Sequence, residues 1–169
     1  MSQTTENTAA SGFESRIQLA LNVNDLDESI TFYAHLFGTE PAKRRPGYAN
    51  FAVAQPPLKL VLIENRGQGG TLNHLGIEVS DVDRVDAEQT RLAEAGLASI
   101  DERGTTCCYA KQDKFWVEGT PNGEHWEVYT VLTDSPTPNG EAEGQECCTN
   151  LLVEPSSAQE AAANAGCCT

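Results

Sequence analysis

Arg16-Ile17-Gln18-Leu19-Ala20-Leu21-Asn22-Val23-Asn24-Asp25-Leu26-Asp27 reads as a β-strand running into a helix, with Asn24-Asp25 as the helix entry. The same pattern returns as Leu72-Asn73-His74-Leu75-Gly76-Ile77-Glu78-Val79-Ser80-Asp81-Val82-Asp83. The two stretches align without a gap at one constant offset (74 − 18 = 56). In the first copy Ile30, Tyr33, Leu36 and Phe37 supply the apolar stripe of the helix and Gly38 its stop. In the second, Val85, Leu92 and Ala95 form the stripe and Gly96 the stop.

Short strands follow each helix. In copy one they are Ala49–Val53 and Leu58–Ile63; in copy two they are Lys114–Val117 and His125–Thr130, joined through the Pro121-Asn122-Gly123 turn. A further short strand is expected directly after each helix. The fold class is therefore α+β, with two βαβββ modules (about 15–65 and 70–131) forming a curved mixed sheet, helices outside it, around a central cavity. Residues 1–14 read as a flexible N-terminus. Residues 132–169 contain no Lys or Arg and are rich in Pro, Gly, Ser, Ala and Asn, so they bury too little apolar surface to offset the entropy of ordering them. The expectation is a disordered, acidic tail with Leu151-Leu152-Val153 as its only sticky segment.

The chain carries 11 basic and 25 acidic residues, a net charge of −14, which disfavours nucleic acid and anionic membrane surfaces as partners. Neither an export signal nor an apolar run of membrane-spanning length is visible, and a cytoplasmic location is expected. The six cysteines all fall in adjacent pairs: Cys107–Cys108, Cys147–Cys148 and Cys167–Cys168. A bridge between neighbours strains the intervening peptide and staples no distant parts of the chain together. Two adjacent thiols do present two soft donors to one thiophilic atom, in a compartment that keeps them reduced.

The paired repeat and the ending Gly119-Thr120-Pro121-Asn122-Gly123-Glu124-His125-Trp126-Glu127 resemble the vicinal oxygen chelate superfamily, which includes glyoxalases, bleomycin-resistance proteins and extradiol dioxygenases. The resemblance covers nearly all of residues 16–131. It implies metal ligands on the first and last strands of each module, which here are Gln18, His74 and Glu127, with the fourth place falling near Leu60. Three N/O ligands leave about half of an octahedral shell open. Gln18 stands where the family usually has His. Fe(II) suits this set, and Mn, Ni or Zn are equally admitted by the residue types. His125 shares the strand of Glu127 and is expected beside the ligands rather than among them, and His35 is expected to be partly exposed.

A cysteine pair at Cys107–Cys108, together with Gln, His and Glu at those positions, is similar to the branch of bacterial C–As lyases and cadmium-induced proteins. That likeness implies a non-haem Fe(II)- and O2-dependent enzyme that cleaves trivalent organoarsenicals such as methylarsonous acid to arsenite. Gln18, His74 and Glu127 would hold the iron, and Cys107 and Cys108 would hold the arsenic at the cavity mouth. A lowered Cys pKa near the metal or Lys111 would favour the ligating thiolates. Cys147, Cys148, Cys167 and Cys168 would capture metalloid on the tail. The competing reading is a non-catalytic, thiol-rich cadmium- or arsenite-binding protein on the same scaffold. A third, a ring-cleaving dioxygenase, leaves the cysteines unexplained. Both monomer and homodimer remain open.

Overall fold

The repeat in the sequence is also a repeat in space. The computed structural model describes residues 14–138. The chain runs β1 (Ser15–Val23), α1 (Leu26–Phe37), β2 (Lys43–Arg45), β3 (Tyr48–Val53) and β4 (Leu58–Glu64). It continues through β5 (Leu72–Val79), α2 (Val82–Glu94), β6 (Ser99–Cys107), β7 (Ala110–Val117) and β8 (Trp126–Asp134). Each helix begins at an aspartate cap. Asp25 Oδ1 accepts from the Glu28 N–H at 2.9 Å and Asp81 Oδ1 from the Arg84 N–H at 3.0 Å, so each satisfies an amide that the first helical turn leaves unpaired. Gly38 ends α1 in the left-handed conformation (φ 63°).

All eight strands join one sheet in the order β2-β3-β4-β1-β5-β8-β7-β6. Its centre is the antiparallel β1–β5 ladder, which runs from Ser15 opposite Val79 to Leu21 opposite Leu72. Strands β1 and β4 are parallel, as are β5 and β8, so each module contributes a four-stranded half. The curved mixed sheet expected from the repeat is the architecture observed.

Strand alternation sorts the side chains between two faces. Leu19, Leu21 and Val23 of β1 turn outward with Phe51, Leu60 and Leu62 to meet Leu26 and Ile30 of α1. Val79, Phe115 and Val128 meet Val85 of α2 in the same way. Fully burying each of these side chains contributes about 1.5–3 kcal/mol. The other face is polar and concave, and it carries the site.

The sheet curls until its two outer hairpins touch. At the β6–β7 turn, the Tyr109 hydroxyl donates to the Pro46 carbonyl in the β2–β3 turn at 3.1 Å, and the Tyr48 and Tyr109 rings lie 5.6 Å apart. Lys43 Nζ donates to the Tyr109 carbonyl at 3.0 Å and also reaches Asp134. A short linker, residues 65–71, joins the modules. Asn24 Oδ1 pins it by accepting from the Gly67 and Gly69 N–H groups at 2.8 and 3.2 Å. A Cβ at Gly69 would lie 2.5 Å from the Asn24 amide, so a side chain there would have to displace the group that pins the linker.

Several local expectations change. Leu36 and Ala95 face solvent rather than the core, and Leu26 and Ala34 complete the α1 contact instead. Strand β6 has nine residues rather than a few. Strand β8 runs to Asp134, beyond Thr130, because Thr133 and Asp134 pair with Lys111 and Ala110 of a longer β7. Cys147, Cys148, Cys167, Cys168 and the Leu151–Val153 segment lie outside the described residues.

Candidate metal centre

Three of the inward side chains converge at the middle of the sheet. Gln18 on β1, His74 on β5 and Glu127 on β8 are all buried. Gln18 Nε2 lies 2.9 Å from His74 Nε2 and 2.9 Å from Glu127 Oε1, and His74 Nε2 lies 3.4 Å from Glu127 Oε1. Metal–ligand bonds of about 2.1 Å set at right angles place neighbouring donors about 3.0 Å apart. The trio therefore has the dimensions of one face of an octahedron. Among the described residues no three His, Cys, Asp or Glu side chains cluster so closely, so an amide is what completes the set.

The register explains how the three side chains can converge. In the β1–β5 ladder Gln18 faces Gly76 and His74 faces Ala20, so each donor has one of the smallest residues opposite it. A Cβ on Gly76 would sit 3.1 Å from Gln18 Cβ and 3.2 Å from Tyr129 Cε1. Gly76 is paired with Glu127 across β5–β8, and its repeat-equivalent Ala20 is paired with Val61 across β1–β4. The fourth symmetrical place is thus Val61, which lines the cavity, and not Leu60, which turns outward into the α1 core. Both are hydrocarbon, and three donors remain.

Surrounding groups orient each donor. Asn73 Nδ2 donates to Asn22 Oδ1 at 3.0 Å, which leaves Asn73 Oδ1 to face His74 Nδ1 at 2.7 Å. That arrangement assigns the ring proton to Nδ1 and the free lone pair to Nε2, the tautomer a metal requires. Gln18 donates both amide hydrogens to the other two donors, and its oxygen accepts from Tyr129 at 2.5 Å. To ligate through oxygen the amide turns end for end, and its N–H then meets the Tyr129 hydroxyl. Lys59 Nζ donates to that hydroxyl at 3.0 Å and lies 3.6 Å from Glu78, which accepts from Arg16 at 2.7 Å.

Glu127 has its own cation. Lys114, 1% exposed, holds Glu127 Oε2 at 3.0 Å and lies 3.4 Å from Glu102 and 4.5 Å from the centre of the Trp116 ring. Burial, the largest single influence, would raise the carboxyl pKa of Glu127, but the charges and hydrogen bonds of Lys114 and His74 together outweigh it and bring the value down to about 2. Burial likewise opposes the charge on Lys114, yet Glu127 and its neighbours hold it above the ordinary lysine value. These groups were missed in the sequence because a lysine on a strand reads as exposed. Spacing was the available signal, since Ala110, Gln112, Lys114 and Trp116 alternate along β7 and all line one cavity.

That cavity, about 190 Å³, also contains Cys107 and Cys108. Cys107 closes β6 opposite Ala110 and Cys108 is the first residue of the two-residue hairpin turn Cys108-Tyr109, so the pair sits at a tight turn rather than in a loop. The turn places Cys108 at φ 53° and Tyr109 at φ 62°, both in the left-handed region where Asn-Gly is the usual choice. Two bulky residues in that region cost about 1–2 kcal/mol each, a strain expected where a side chain is needed for function. The sulfurs lie 3.5 Å apart, beyond the ~2.05 Å of a bond to each other. Lys114 interacts electrostatically with Cys107, and Lys111 of the same strand is exposed. His125 stands outside the trio, its ring 6.4 Å from Trp116, which in turn packs 5.7 Å from His74. His35 is exposed on α1.

The family model of the Glyoxalase/Bleomycin resistance protein/Dioxygenase superfamily matches residues 16–128. The cadmium-induced protein CadI of Mycobacterium tuberculosis is 68% identical over 123 residues, 73% of this chain and 80% of its own length. A trivalent organoarsenical cleaving enzyme of Thermomonospora curvata is 56% identical over 155 residues, 91% of this chain and 99% of its own. Among solved structures, a Mn(II)-bound glyoxalase from Novosphingobium aromaticivorans superposes with a TM-score of 0.51 at 20% identity, over 72% of this chain and 41% of that one. An extradiol ring-cleaving dioxygenase from B. fuscum gives 0.50 at 20% identity, over 72% of this chain and 33% of that one. At that identity the solved structures speak for the fold alone, whereas the family match spans most of the described domain. The chain belongs to the Glyoxalase/Bleomycin resistance protein/Dioxygenase superfamily.

Proposed function

We propose that this protein is a C–As lyase that converts trivalent organoarsenicals such as methylarsonous acid into inorganic arsenite, in a cytoplasm that keeps its thiols reduced. The observation that carries the reading is that the Cys107–Cys108 pair and the Gln/His/Glu face line one cavity. The similarity to the trivalent organoarsenical cleaving enzyme supports it. Gln18, His74 and Glu127 would hold Fe(II), and Fe(II) when bound supplies activation of the co-substrate dioxygen.

The chain's own residues capture and orient. A trivalent arsenical R–As(OH)2 exchanges both hydroxyls for the sulfurs of Cys107 and Cys108, forming two As–S bonds and releasing two waters. The organic group is then the only substituent left, and it projects away from the sulfurs. The strained turn places the two sulfurs at one end of β7, and the face of β7 leads from there past Gln112 to Lys114, which touches Glu127. Held in that geometry, the carbon meets the reacting centre without a further search, which is the proximity contribution to catalysis. Lys114 places positive charge beside both Cys107 and Glu127. Cys147, Cys148, Cys167 and Cys168 would add captured arsenical near the mouth by mass action.

The 68% likeness to a cadmium-induced protein favours a second reading, sequestration of cadmium or arsenite without turnover. Purified protein given Fe(II), methylarsonous acid and oxygen should release arsenite. No release alongside tight stoichiometric Cd(II) binding would decide for sequestration. Cys107→Ser with Cys108→Ser should abolish release, and release that survives the double change would point to a ring-cleaving type of dioxygenase instead.

A further inference from the structure

Gln112 is 6% exposed, and its amide is oriented by the backbone. Nε2 donates to the Cys107 carbonyl at 3.2 Å, so the amide cannot be turned end for end without setting two oxygens against each other. Oε1 consequently faces away from the backbone and has no hydrogen-bond partner among the described residues. A buried acceptor without a donor is costly, and Gln112 lines the cavity. Its place along β7 matters. Residues two apart on a strand lie about 6.8 Å apart on the same face. Gln112 therefore stands one such step from Ala110, beside the thiol turn, and one step from Lys114, beside Glu127. It flanks the path between the captured arsenic and the Gln/His/Glu face.

Arsenic held by two sulfurs retains no hydroxyl, so the only donor a captured arsenical can offer is on its organic group. A methyl or unsubstituted phenyl group has none. We propose that Gln112 is a specificity-determining residue whose amide oxygen accepts a hydrogen bond from an amino or hydroxyl substituent on the organic group of the arsenical. The inference rests on the capture role given above to Cys107 and Cys108. It ranks donor-bearing aryl arsenicals above both phenyl and methyl ones, because only they satisfy the acceptor.

The test is binding to the full chain, reduced, metal-free and anaerobic, so that turnover plays no part. Trp116 lines the cavity and reports occupancy by fluorescence. The probes are phenylarsonous acid, 4-aminophenylarsonous acid and 4-(dimethylamino)phenylarsonous acid, the last lacking any N–H. The amino compound should bind about ten-fold tighter than the other two. Gln112→Met should bring the amino-to-phenyl ratio to about one while phenyl binding stays within about two-fold. If that variant does not fold, Gln112→Asn, which withdraws the oxygen by one methylene, should read the same loss. A wild-type ratio near one, as a water serving every arsenical alike would give, overturns the proposal, and so does a preference that survives both variants. Failure of all three probes to bind overturns the capture reading itself and this inference with it. Tight binding of all three without preference overturns only this inference.

Discussion

Cys108→Asn should make the protein more stable and worse at its task. Cys108 sits at φ 53° as the first residue of a two-residue turn, where a bulky side chain costs about 1–2 kcal/mol and asparagine far less. The exchange also removes a half-buried sulfur packed against the cluster of Ala20, Tyr48, Val61, Ile63 and Tyr109, which returns a few tenths of that gain. The net is about 1 kcal/mol, or a rise in Tm of about 2–4 °C for a chain of this size. Under the capture role proposed for Cys107 and Cys108, arsenical binding should fall from two As–S bonds to one. Tyr109→Gly at the neighbouring position should do the opposite to stability, because its ring pairs with Tyr48 and its hydroxyl binds Pro46. Scanning calorimetry in excess phosphine reductant, with a methylarsonous acid titration on the same samples, reads both properties. If Cys108→Asn melts at or below the wild type, turn strain is not what the second cysteine costs, and the argument from backbone to function fails.

Two further predictions concern the buried charges. Lys114→Met leaves Glu127 buried without its cation and should destabilise the metal-free protein by about 3–5 kcal/mol, and divalent metal should restore much of the lost Tm by taking over the charge; urea unfolding with and without Mn(II) checks this. Glu127 is depressed to about 2 from an ordinary 4.5, so it contributes stability that is fully present above pH 4.5 and is lost as the pH falls toward 2; the loss is about 3 kcal/mol, and Glu127→Gln should flatten that limb of the stability curve.

The frame of the fold was legible because the repeat states it twice. Asp25 and Asp81 begin their helices at equivalent places, and β1 and β5 carry Gln18 and His74 at equivalent places. Once both strands face one cavity, a polar residue in each is a meeting point that needs no further assumption. Three features resisted. Leu36 matched the helical period but fell on the edge of the stripe facing water, since helix position alone does not say how far the sheet reaches. The Cys107–Ala110 turn lacked any turn signature, because Cys and Tyr occupy places where Asn-Gly would announce a hairpin. Lys59, Lys114 and Tyr129 surround the candidate donors through contacts that bridge different strands, and no local pattern encodes which strands will be neighbours.

The linker at residues 65–71 has a consequence for how the donor set depends on dilution. Gln18 comes from one module, His74 and Glu127 from the other, so neither half alone owns a binding face. Two separate modules would have to find each other, and the fraction assembled would fall as the protein is diluted. Seven residues pinned by Asn24 replace that encounter with an effective concentration that stays constant whatever the dilution. The tether thus converts an association constant into a conformational one: a chain cut between Gln68 and Gly69 would assemble the Gln/His/Glu face only in proportion to how much of it is present, while the intact chain assembles it molecule by molecule.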